Sequence, residues 1–376
     1  MPPSSLEKIR VLVVDDSVVM RQLLVRLIGD EPDFEVAGIA ADGRTALAKV
    51  ESCAPGIVTL DVEMPGMGGL DVLSAICHLH PGLPVVMLSS ATQTGAVQTV
   101  EALSRGAVGC CPKPTGATGA AATLEILRCQ LLPLLRSLGR PGPAPRSTPV
   151  GVPRLTGMLQ TAPLPPRRPA PRLVLIGSST GGPHALHQIL PRLPATLPVP
   201  VVVVQHMPAL FTAPLANRLN ETCALAVREA VDGEPLLNGT VYLAPGGRHL
   251  KLVPTPSGIR IRLDDGPPEN SCRPAVDVLF RSAAPLFGPA VLGVILTGMG
   301  QDGLLGATEL DRAGVELLVQ DQASSVVWGM PGAIVRSGLP HSIVPLAGLA
   351  EAIADRLRVG CSNLCRPLSK PTSFGG

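Results

Sequence analysis

The chain has 376 residues, room for about two domains of ordinary size. Apolar residues make up 45%, and 31 Lys plus Arg nearly balance 29 Asp plus Glu, so the net charge of +2 excludes a chain-wide electrostatic nucleic-acid binder. Aromatic residues, at 2%, leave little for base stacking. No apolar run approaches the ~20 residues that span a bilayer, and the N-terminus lacks the charged-then-apolar order of a secretory signal. A cytoplasmic protein with no nucleic-acid partner and no membrane insertion is expected. The nine cysteines lack paired CxxC spacing and are read as reduced, mostly buried apolar residues. His184 and His187 could share a helical face, but no third metal ligand lies nearby, so they are read as exposed helix histidines.

In chain order, residues 8 to 138 alternate β-branched runs with helical patterns. The strands are Ile9 to Val14, Phe34 to Ala40, Ile57 to Leu60, Pro84 to Leu88 and Val108 to Cys111. Helices are expected over Val18 to Ile28, Thr45 to Val50, Leu70 to Leu79, Ala96 to Leu103 and Leu124 to Leu138. Continuous apolar strands separated by helices mean an α/β domain, a doubly wound parallel sheet covered on both faces, with ligands at the strands' carboxyl ends. That rim carries Asp15, Asp16 and Asp61, with Ser89 and Lys113 ending two further strands. Three carboxylates on one rim repel unless a cation neutralises them. An octahedral oxygen site for magnesium is the economical explanation, leaving one carboxylate to accept a phosphoryl group.

The segments VLVVDDS, TLDVEMPGMGGLDVL, VVMLSS and PKP resemble those of a response-regulator receiver domain. The resemblance implies Asp61 as phosphoacceptor, Asp15 and Asp16 as magnesium ligands with it, Ser89 as switch hydroxyl and Lys113 as the lysine pairing with phosphate. Gly68, Pro112 and Cys110 depart from the pattern; Cys110 stands where an aromatic switch residue is common.

Residues 139 to 171 are dense in proline, with five arginines and no acid, and read as an extended linker in which the LTGML patch could pack between domains. A second α/β domain follows over 172 to 360, and a disordered tail is expected over 361 to 376. Leu173 to Pro183, LVLIGSSTGGP, reads as buried strand, glycine turn and helix start. Val199 to Gln205 is a second buried strand ending at His206. Short strands surround Val241 to Leu243, Leu250 to Val253 and Ile259 to Leu263, the last two flanking a Pro256-Ser257-Gly258 hairpin turn. Helices are expected over Ala213 to Leu219, Ala275 to Phe280, from about Leu304, and from Leu346 to about Val359. The strand Ala290 to Leu296 leads into TGMGQDG, which carries Asp302.

Gly177, Ser179 and Gly181 fit G-x-S-x-G, which singles out Ser179. A dinucleotide site needs an acid about 20 residues on, yet Arg172 to Asn220 contains no Asp or Glu. A nucleophilic serine needs a base, and the base an orienting acid. Ser179, His206 and Asp302 each follow an apolar strand of parallel type, so a doubly wound sheet converges them on one edge. Asp232, Asp264, Asp265 and Asp277 are alternative acids; Asp302 is preferred for its glycine-rich loop at a strand's carboxyl end. The amides of Gly181 and Gly182, with that of Met299, are candidates for an oxyanion hole.

IGSSTGG, VVVVQHMP, YLAPGGRHL, SCRPAVDVLF and VILTGMGQDG resemble the catalytic domain of chemotaxis protein-glutamate methylesterases, and the order receiver, linker, esterase matches as well. The resemblance implies triad roles for Ser179, His206 and Asp302, and pocket roles for Thr180 and Met299. It further implies hydrolysis of glutamate γ-methyl esters on methyl-accepting chemoreceptors, deamidation of receptor glutamines, and a chemotaxis histidine kinase as phosphodonor; no cofactor is expected for the esterase. An unphosphorylated receiver packed over the esterase pocket is the expected control. The alternative is a response regulator acting by binding alone.

Overall fold

The computed structural model describes residues 8–114, 119–139 and 169–361. Most of the expected linker, including LTGML, and nearly all of the expected tail lie outside those residues. In the first domain β1 (Ile9–Val14), α1 (Val18–Gly29), β2 (Phe34–Ala40), α2 (Gly43–Cys53), β3 (Ile57–Asp61), α3 (Gly69–Leu79), β4 (Val85–Ser89), α4 (Gln93–Arg105), β5 (Gly109–Pro112) and α5 (Ala120–Gly139) alternate. The five strands pair in parallel in the order β2-β1-β3-β4-β5. Polar residues start the helices where the strand loops end. Ser17 accepts from the Met20 amide, Asp42 from Thr45 and Thr92 from Gly95, each satisfying an N–H that the first helical turn leaves unpaired.

The second domain holds β6 (Leu173–Ser178), α6 (Gly182–Ile189), β7 (Val201–Gln205), α7 (Ala209–Thr222), β8 (Ala226–Glu229), β9 (Thr240–Leu243), β10 (His249–Thr255), β11 (Gly258–Asp264), α8 (Val276–Phe287), β12 (Val291–Ile295), α9 (Leu304–Arg312), β13 (Glu316–Gln320), α10 (Met330–Ser337), β14 (Ser342–Val344) and α11 (Leu346–Cys361). Its main sheet is parallel throughout, in the order β14-β13-β12-β6-β7-β9-β8. β10 and β11 form a separate antiparallel hairpin closed by Pro256 and Ser257. The chain starts at the sheet's centre, passes from β7 to the edge strand β8, fills in β9 between them, and returns to β12 on the other side of β6. That reversal opens a crevice at the carboxyl ends of β6, β7 and β12. Gly177 is required beside it, because a Cβ there would lie 2.6 Å from Val276 Cγ1.

The two domains share an apolar cluster. α4 of the first packs against α6 and α7 of the second, and Val100, Leu103, Leu186, Ile189, Phe211 and Leu215 belong to one continuous buried set. Apolar surface drawn from both sheets is thereby removed from water at the mouth of the crevice.

Candidate active site

Because β6 pairs with β12 on one side and β7 on the other, the residues that follow these three strands lie side by side. Ser179 follows β6, His206 follows β7, and the loop after β12 carries Asp302. His206 Nε2 lies 2.7 Å from Asp302 Oδ2. Ser179 and His206 line one cavity, but among the described residues no hydrogen bond joins the Ser179 hydroxyl to the ring. With Nε2 committed to Asp302, the nitrogen left to accept a proton is Nδ1, which has Cys272 Sγ 3.5 Å away.

Asp302 is 3% exposed. Besides His206 it accepts from the amides of Val276 (2.6 Å), Asp277 (3.1 Å) and Gly303 (3.0 Å) and from Asn270 Nδ2 (3.0 Å). Burial raises its pKa, but His206 and these N–H groups outweigh that and hold it below the usual carboxylate value. Burial lowers the pKa of His206; the hydrogen bonds to Asp302 and Cys272 and their charges outweigh it and hold the imidazolium up to about 9. His206 therefore contributes stability that is in place below its unfolded value near 6.5 and is lost as pH rises through about 9, while the depressed Asp302 carboxyl contributes stability that is lost as pH falls through its folded pKa.

Gln205, absent from the residues singled out by sequence, ties Ser179 and His206 together through the backbone. Its Nε2 donates to the carbonyls of Ser179 (2.8 Å) and His206 (3.0 Å), and its Oε1 accepts from Ser178 Oγ (2.7 Å). Ser178 is thus a buried support. The signal available was a polar residue closing an otherwise apolar strand, but a glutamine there has many structural uses.

The expected oxyanion donors divide. Gly181 has φ +78°, and its N–H donates to the Val108 carbonyl of the first domain at 2.9 Å. The Gly182 N–H is engaged within the turn, donating to Ser179 O at 2.8 Å. Thr180 lines the cavity, whereas the Met299 side chain is 42% exposed and does not. Leu103, Val108, Gly109, Cys110 and Leu134 of the first domain form the opposite wall, leaving about 90 Å³, about three waters' worth and far below an ordinary ligand pocket.

At the first domain's rim, the oxygens of Asp15, Asp16 and Asp61 lie within 4.8 Å of one another, an all-oxygen donor set suited to magnesium. Lys113 Nζ sits 2.7 Å from Asp61 Oδ2 and 2.8 Å from Asp15 Oδ2. Burial pushes the Asp61 carboxyl up to about 6 against the opposing pull of Lys113. Ser89 is not turned to Asp61: its hydroxyl donates to the Gly95 carbonyl of α4 at 3.0 Å.

Two surface readings change. His184 and His187 are half-buried rather than exposed, since α6 packs against α4, α7 and α11. Burial lowers both pKa values, that of His187 to about 4. Of the described cysteines, which are unpaired, only Cys111 is buried, and Cys129 is exposed. Several sit where packing is incomplete, such as Cys53 ending α2 and Cys223 closing α7.

The CheB methylesterase family pattern matches residues 174–353, and that of the response regulator receiver domain residues 11–124. A protein-glutamate methylesterase/protein-glutamine glutaminase of Nocardioides sp. is 48% identical over 93% of this chain and 95% of its own length. One of the same name from Trichodesmium erythraeum is 45% identical, over 93% of this chain and 99% of its own length. The crystal structure of the Thermotoga maritima CheB methylesterase catalytic domain is 41% identical, covering 50% of this chain and 98% of that one with a TM-score of 0.48.

Proposed function

Since the chain belongs to the CheB methylesterase family and carries a receiver domain ahead of the esterase, we propose that it is a phosphorylation-activated protein-glutamate methylesterase. It hydrolyses glutamate γ-methyl esters on methyl-accepting chemoreceptors, releasing methanol, and deamidates receptor glutamines to glutamate. The observation that carries this reading is the 2.7 Å contact between His206 and Asp302 at the strand end next to that of Ser179.

Ser179 Oγ attacks the side-chain carbonyl carbon while its proton passes to His206 Nδ1, the nitrogen that Asp302 leaves free. The ester C–O bond then breaks, and His206 returns the proton to the departing methanol, or to ammonia from glutamine. Water, deprotonated by His206, cleaves the glutamyl-serine ester. The Gly181 N–H is the oxyanion donor once Val108 leaves it. Because the base must be neutral to act, the rate of the unphosphorylated enzyme rises with pH towards about 9, the pKa at which His206 is held. A pH profile of methanol release that levels off near 6.5 contradicts this account of the base.

Control follows from the shared cavity. Asp15, Asp16 and Asp61 would hold magnesium, which neutralises phosphodonor charge when bound, and Asp61 accepts the phosphoryl group from a chemotaxis histidine kinase. A phosphoryl group on Asp61 competes for Ser89 and Lys113, loosening the Ser89 bond to α4, the helix that packs on the esterase. New charge-assisted hydrogen bonds support stimulation on the order of ten- to hundredfold. In a methanol-release assay, Asp61→Asn should lose that rise and keep the basal rate. A variant still stimulated by phosphodonor sinks the assignment of Asp61.

A further inference from the structure

Behind the His206–Asp302 pair lies a second buried carboxylate that the mechanism does not use. Asp277 is 1% exposed in the first turn of α8. Its Oδ1 accepts from the Gly306 amide of α9 at 2.6 Å and its Oδ2 from Asn270 Nδ2 at 2.9 Å. The same Asn270 nitrogen reaches Asp302 Oδ1 at 3.0 Å. One amide group thus bridges two carboxylates. Asn270 holds this place from an exposed loop with φ 51°, a left-handed conformation that asparagine adopts more readily than most residues.

We propose that Asn270 and Asp277 are positioning residues for the base: Asn270 fixes the Asp302 carboxylate against His206, and Asp277 anchors Asn270 while placing a second negative charge behind the triad. This rests on the triad reading above and deepens it. The arrangement uses its donors economically. The α8 amides of Val276 and Asp277 and the Gly303 amide at the start of α9 meet Asp302 from the backbone, and Asn270 is the side chain that joins them. Without it, Oδ1 loses a donor, and the ring that Asp302 holds is aimed less closely at Ser179.

The two residues act on His206 with opposite signs. The Asn270 N–H withdraws charge from Asp302 and weakens its hold on the imidazolium; the Asp277 carboxylate strengthens that hold. Burial pushes the Asp277 carboxyl up to about 6, so it is ionised across the range where His206 titrates. The other titratable or charged groups facing this set are Cys272 against His206, His249 of β10 bonded to the Ala275 amide, and Arg281 of α8, paired with Glu269. The variants below leave all of these in place.

The test is methanol release by the full-length, phosphodonor-treated enzyme, with kcat and KM measured separately across pH. Asn270→Ala should lower kcat about ten- to hundredfold with KM changed less than about twofold, and move the acid limb of kcat up by a few tenths of a pH unit. Asp277→Asn should move that limb down by about half a unit or more. A thermal melt of each variant checks folding. If both variants fold and their limbs coincide with wild type, the proposal is overturned whatever happens to the rate, since it requires limb shifts of opposite sign, whereas loosened packing would relieve the burial of His206 and move both limbs the same way. Should Asp277→Asn fail to fold, Asn270→Ala decides alone, an unmoved limb overturning the proposal. Ser179→Ala in the same assay separates the two levels: if it retains activity, the triad reading fails and takes this inference with it.

Discussion

Ser179→Ala is expected to abolish methanol release from methylated receptor membranes, with kcat falling roughly a thousandfold to a millionfold. Removing Oγ removes the atom that forms the covalent ester, and neither neighbour can substitute. Ser178 is buried and its hydroxyl is committed to Gln205 at 2.7 Å, while Thr180 belongs to the turn held by Thr297, whose hydroxyl donates to its carbonyl at 2.9 Å. The variant should fold as wild type, because the contacts that place residue 179 run through its backbone: its amide donates to Thr297 O at 3.0 Å and its carbonyl accepts from Gln205. The residual rate is what binding and oxyanion stabilisation supply without a nucleophile. Release at the wild-type rate by a folded Ser179→Ala protein would overturn the assignment of Ser179 as the nucleophile.

Asp302→Asn is expected to cost on the order of ten-thousandfold in kcat with KM little changed. The amide would keep the shape of the carboxylate and lose its charge. Facing His206 Nε2, it can present an N–H, which forces the ring proton onto Nδ1, the nitrogen that must accept from Ser179. The buried amides of Val276, Asp277 and Gly303 would also face a weaker acceptor. The sign of the accompanying pH effect is fixed. His206 is held up to about 9 by Asp302 against the downward pull of burial, so without the carboxylate the acid limb of the remaining activity should fall by more than about two units. A variant that loses rate but keeps its limb near 9 would show that another group orients the ring.

What sequence made legible follows from where the chemistry is written. The rim acids end β1 and β3, and Ser179, His206 and Asp302 follow β6, β7 and β12; in a parallel sheet such positions converge. The Pro256-Ser257 turn was likewise legible from turn chemistry and flanking alternation. β8, β13 and β14 went unread because four-residue AVRE, five-residue ELLVQ and three-residue SIV are too short for periodicity to tell strand from helix or loop. α10 contains Pro331 and Gly332 in its first turn, which read as loop. The finer parts of the site depend on side chains meeting across the fold. Asn270 reaches Asp302 over 32 residues of chain, and nothing local to either announces the contact. The glycines after Ser179 marked a tight turn without revealing which amide the turn itself consumes; Gly182 spends its N–H there and Gly181 spends its own on Val108.

That last contact joins both halves of the account. In the structure a carbonyl of the first domain occupies the N–H proposed for the oxyanion, in a cavity of about 90 Å³. On the proposed control, a receptor side chain reacts only when the domains part. The most direct measurement is the rate of methanol release by the full-length protein from methylated receptor membranes, with magnesium, before and after adding a phosphodonor. Slow release is expected to rise on the order of ten- to hundredfold, with no rise in Asp61→Asn. Release that is equally fast with and without phosphodonor, or absent in both, would contradict the proposed control.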